Sequence, residues 1–134
     1  MKIPKNASIA IVDGAKLNLF HNGGDENAPN LTALPNAAIS SDNHGSGGRH
    51  GSSSANPSDS QLQEDGFAAG TAEFLNKQVL DGKIADLVIV AAPRTLGELR
   101  KHYHKALSAV LIGEISKDLT GHAMSDIEKT IAAA

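Results

Sequence analysis

The sequence predicts a single α/β domain built on one mixed five-stranded sheet, and three observations carry that prediction. Ser8–Val12 is a short apolar run and Lys16–His21 alternates polar with apolar, both in the manner of strands. Leu87-Val88-Ile89-Val90-Ala91-Ala92 is apolar without alternation, as in a strand buried on both faces, typically a central parallel one. Between and after these runs, apolar residues recur at helical spacing. With 134 residues the chain is sized for one substantial core rather than two, and residues 1–134 are expected to form one domain.

The elements follow in order. Asp13-Gly14 is a hairpin turn between the first two strands, and Asn22-Gly23-Gly24-Asp25 is a second turn. Asn30 to Ile39 reads as a weaker third strand, bent or placed at an edge by Pro35. Residues 40–58 are dominated by Gly and Ser and hold no large apolar side chain, so they form a long loop that adds nothing to a core. Ser58 with Gln61 makes a capping box for a helix carrying Phe67, Thr71, Phe74, Leu75 and Val79, which Gly82 stops. Gly66 and Gly70 inside it each cost about 1 kcal/mol relative to Ala, which close approach to the sheet would offset. Thr95 with Glu98 caps a second helix through Leu96, Leu99, Tyr103 and Leu107. Val110–Ile115 is the fifth strand, and Ser125 with Glu128 caps a last helix carrying Ile127 and Ile131. The resulting order, β-β-β-loop-α-β-α-β-α, is that of ribonuclease H-like folds and of the middle domains of some translation factors. Order alone carries no function.

Composition narrows the chemistry. Net charge is −3, which argues against duplex DNA, and against free DNA or RNA as the main partner, because phosphate neutralisation dominates such binding. It leaves room for contact through one local basic patch on a larger complex. There is no cysteine, hence no disulfide, no thiolate chemistry and no Cys-based zinc site. No window approaches the length of apolar residues that spans a bilayer, and the start carries no secretory apolar segment. A cytoplasmic protein without membrane insertion is therefore expected.

Candidate sites are few. A two-metal nuclease would need several carboxylates around its ions. Asp13 ends the first strand and Glu64 or Asp65 lies on the first helix, yet the central strand ends in Ala91-Ala92-Pro93-Arg94 without an acid. As a turn residue before Gly14, Asp13 has an ordinary structural explanation. His44 and His50 share the loop with Asp42, but such a loop lacks the rigid support that metal ligands have, and His102 and His104 do not share a helix face. No metal and no cofactor is expected. Gly47-Gly48 stands too far before the helix for a phosphate loop, and no nucleophile elbow is present. Arg94, Arg100, Lys101 and Lys105, with His102 and His104, make the second helix the most basic element. It is either a solvated face or a docking face for structured RNA or an acidic protein.

Four stretches carry a family resemblance: IVDGAKLNLF at 11–20, EDGFAAGTAEFL at 64–75, LVIVAAPRTLGELRKHY at 87–103 and GEISKDLTGHAMSDIEK at 113–129. Together they resemble the bacterial host-attachment protein family, whose members are labelled as required for attachment to host cells. That family is distantly similar to the middle domain of class-one release factors and of Pelota. In the release factors a Gly-Gly-Gln loop between the third strand and the first long helix enters the ribosome and promotes peptidyl-tRNA hydrolysis. Here Gly47-Gly48 occupies the corresponding place and is followed by Arg49 and His50. Without the Gln, the resemblance implies binding without catalysis, as in Pelota, to the ribosome or another RNA-containing assembly. It points to Gly47, Gly48, Arg49 and His50, supported by Arg94 and Arg100, and secondarily to Asp13, Lys117 and Asp118. Two alternatives stay open: a hydrolase acting on peptidyl-tRNA or a metal-dependent nuclease, and a protein-interaction or adhesion module with the loop as a passive linker.

Overall fold

A computed structural model of the chain describes residues 3–13, 16–25, 30–34, 59–117 and 123–134. Nine elements are formed by them: β1 (Ser8–Val12), β2 (Leu17–Asn22), β3 (Leu31–Ala33), α1 (Asp59–Leu80), β4 (Leu87–Ala91), α2 (Pro93–Arg100), α3 (Lys105–Val110), β5 (Leu111–Ser116) and α4 (Met124–Ala133). The sheet order is β3-β2-β1-β4-β5. β1 pairs antiparallel with β2 and parallel with β4, β2 pairs antiparallel with β3, and β4 pairs parallel with β5. This is the mixed five-stranded sheet that the sequence predicts.

The two middle strands explain the apolar runs. Every residue of β1 and of β4 is buried, because helices cover both faces of the sheet. On one face Ala10, Val12, Ile89 and Ala91 meet Ala68, Ala72 and Leu75 of α1, Leu96 and Leu99 of α2 and Leu107 of α3. On the other, Ile9, Ile11, Val88, Val90 and Ile115 meet Ile127 and Ile131 of α4, an i, i+4 pair on one helical stripe. Gly66 and Gly70 of α1 are both buried. The helix ends in a Schellman motif: Gly82 has φ +78°, its N–H donates to Val79 O at 3.0 Å, and Lys83 N–H donates to Gln78 O at 2.9 Å.

Asn22, at the end of β2, is wholly buried and fully bonded. Its Nδ2 donates to Ile3 O and Pro4 O, each at 3.1 Å, and its Oδ1 accepts from Gly24 N and Asn30 N, each at 3.0 Å. One amide thus fastens both the incoming chain and the β2–β3 turn.

Several boundaries depart from the sequence reading. β3 is three residues long, and the rest of the expected strand to Ile39 lies outside the described residues. The expected single helix from Thr95 to Leu107 is two helices. α2 begins at Ala92 as N-cap with Pro93 in the first turn, not at a Thr95–Glu98 capping box. Ala123 rather than Ser125 precedes α4, and the Glu128 carboxylate accepts from Leu31 N at 2.8 Å, tying α4 to the short edge strand. β5 begins at Leu111, not Val110, and its register against β4 skips Ile112, leaving that side chain exposed at a bulge. The Ser58 cap lies outside the described residues.

Candidate functional site

Parallel strands in α/β sheets present their carboxyl ends to ligands, since loops and helix starts converge there. Here β1 ends at Val12 and β4 at Ala91, side by side in register. Beyond them lies an open cleft of about 220 Å³ lined by Asp13, Glu64, Asp65, Ala68, Ala92, Arg94, Thr95 and Glu98. Asp13 follows β1. Glu64 and Asp65 come from the first half of α1, and Arg94, Thr95 and Glu98 from α2.

The cleft is acidic and internally paired. Arg94 lies 3.5 Å from Asp65, a long contact with both groups partly exposed, and Lys101 reaches Glu98 at 2.7 Å. Asp13 closes the β1–β2 hairpin: its N–H donates to Lys16 O at 3.0 Å, and its carboxylate accepts from Lys16 N. That is the turn role that Asp13-Gly14 suggests. Although four carboxylates line one cleft, no group of three or more His, Asp or Glu side chains among the described residues could hold a metal ion.

A second polar constellation lies where α2 meets α3. Arg100 grips the Glu114 carboxylate of β5 through Nε at 3.1 Å and Nη2 at 2.8 Å, and the Tyr103 hydroxyl donates to the same carboxylate at 2.8 Å. The Tyr103 phenol is held well above its ordinary range, first by burial and then by this hydrogen bond. The bond to Glu114 also raises the Arg100 guanidinium, which stays charged at any working pH. Asn76 of α1 completes the corner: its Nδ2 donates to His102 O and its Oδ1 accepts from His104 N, both at 2.9 Å.

Of the residues singled out from sequence, Asp13 and Arg94 therefore share the cleft, while Arg100 is a strut between α2 and β5. Lys117 is exposed just beyond β5. Gly47, Gly48, Arg49, His50 and Asp118 lie outside the described residues. Sequence reading missed Asn76 and Glu114. A carboxylate inside Leu-Ile-Gly-Glu-Ile is a legible oddity, but nothing local names its partners. Among the described residues, no helix is long and apolar enough to cross a membrane.

The strand order, the helices on both faces and a cleft at the carboxyl ends of β1 and β4 define a mixed α/β domain with a candidate site at the end of its central strands. The chain belongs to bacterial archaeo-eukaryotic release factor family 12, whose family model matches residues 6–131. No curated protein matches the chain.

Proposed function

We propose that this chain is a non-enzymatic binding module that presents Gly47, Gly48, Arg49 and His50 to the ribosome or another RNA-containing assembly. The observation that carries this reading is membership of a release-factor family over residues 6–131. The topology supports it. β3 runs in the same direction as β1, and the first half of α1 lines the cleft beyond β1, so β3 ends and α1 begins toward that end of the domain. Arg49 in place of a Gln following the two glycines favours contact over hydrolysis. An influence on attachment to host cells would then be indirect, through synthesis or rescue of the proteins that make contact.

The test is sucrose-gradient sedimentation of the tagged protein from lysate, with and without nuclease. Co-migration with ribosomal particles, lost when Gly47, Gly48 and Arg49 are replaced together, is the expected result. Migration only at the top of the gradient overturns the reading.

A further inference from the structure

Among the basic side chains of 94–105, the structure separates those already committed from those still available. Arg100 is committed: Glu114 takes it bidentately, and that carboxylate is only 19% exposed and also bonded to Tyr103. Arg94 faces the acidic cleft beside Asp65. Lys101, His102, His104 and Lys105 are all exposed. Lys101 holds Glu98 with its side chain 66% exposed, against 57% for Arg100. What distinguishes it is therefore not burial but that it makes one contact to a carboxylate rather than a forked one, an interaction that costs little to exchange. Lys105 and His102 have no carboxylate partner among the described residues.

These four residues sit on a backbone that is already fixed. Asn76 holds His102 O and His104 N, and Ala106 N donates to His104 Nδ1 at 2.9 Å. With Nδ1 accepting, a neutral His104 carries its proton on Nε2 and offers it outward as a donor. A pre-ordered turn loses little conformational freedom when it binds. Within the corner, the one large apolar side chain, Tyr103, is half-buried with its hydroxyl given to Glu114. The corner thus offers exposed cations and donors without the apolar anchor on which protein partners usually depend.

We propose that the α2–α3 corner, residues 101–105, is a contact surface for the backbone phosphates of structured RNA, with Lys101, His102, His104 and Lys105 as the contacts and Arg100 as a structural strut. This rests on the reading of the chain as a module that meets an RNA-containing assembly. It moves the supporting contacts from Arg94 and Arg100 to the neighbouring turn.

The experiment is fluorescence anisotropy of the full chain with a labelled RNA hairpin, across a salt series. Lys101→Ala/Lys105→Ala is compared with Lys5→Ala/Lys129→Ala, which removes two exposed lysines elsewhere. Each phosphate contact is worth roughly tenfold at about 50 mM salt, so the corner variant should bind roughly 100-fold more weakly and lose about two contacts' worth of salt slope. The control variant should retain the hairpin affinity. RNA binding that both variants keep equally would overturn the corner while leaving the RNA-assembly reading intact. Binding to a polyglutamate peptide with none to the hairpin would overturn it in favour of an acidic protein. Binding to neither probe overturns it as well, and the ribosome reading is then judged by the sedimentation of the loop variant.

Discussion

Tyr103 shows how one side chain can report on the whole packing arrangement. It is the only tyrosine in a chain without tryptophan, so its ionisation can be followed without interference. Burial and the bond to Glu114 both favour the neutral phenol, so its folded-state pKa lies above the unfolded value of about 10. The folded chain therefore holds this proton at a pH where the unfolded chain has released it. Its stabilising contribution is fully present below about pH 10 and is lost as pH rises through the folded-state value. Tyrosinate absorbance should rise well above pH 10 in the native protein and near pH 10 in denaturant. Tyr103→Phe should remove this part of the alkaline loss of stability while costing about 1 kcal/mol at neutral pH, read from denaturant midpoints. Coincident titration of native and denatured protein would refute the burial and bonding described for this ring. Such a residue is only half legible in sequence: its place on the apolar stripe with Leu96 and Leu99 is visible, whereas the carboxylate that receives its hydroxyl is not.

At the scale of elements, the instructive case is the break between α2 and α3. Leu96, Leu99, Tyr103 and Leu107 keep helical spacing, and the sequence accordingly reads as one helix. In a continuous helix His102 O would accept from Ala106 N, and His104 N would donate to Arg100 O. Asn76 takes His102 O and His104 N instead, and the His104 ring takes Ala106 N. The apolar stripe survives the break because each half still buries its own leucines, Leu96 and Leu99 in one and Leu107 in the other. Asn76→Ala should therefore lower stability by about 1 kcal/mol, since water can reach the freed groups. It should also speed hydrogen exchange at the His104 amide without altering that at the centre of β4. Unchanged exchange at His104 would mean that Asn76 does not hold the corner. The two failed capping boxes have different origins: Pro93 starts α2 ahead of Thr95, a local cause, whereas Glu128, the partner expected for Ser125, is taken by the backbone of β3.

For the whole molecule, both cores gather on the sheet, one under α1, α2 and α3 and the other under α4. Residues 43–55 contain no large apolar side chain that could join either. Shortening a connection changes its closure entropy only logarithmically, by about 0.6 kcal/mol per halving. A chain lacking residues 43–55 should fold with a melting temperature within a few degrees of the full protein and yet lose ribosomal co-sedimentation. Retained co-sedimentation would make the segment a passive linker. What the sequence determined by itself was whatever rests on local periodicity and composition: the strand order along the chain, the doubly buried β4, the amphipathic stripes and the absence of thiol chemistry. Tertiary structure alone decided the pairings. Asp65 and Arg94 are 29 positions apart, and Arg100 and Glu114 are 14 apart. Whether a cation on a helix is free or spent depends on which carboxylate the neighbouring element brings alongside. Burial patterns repeat along a segment and can be read there, whereas a charge pair exists only once two distant segments have packed.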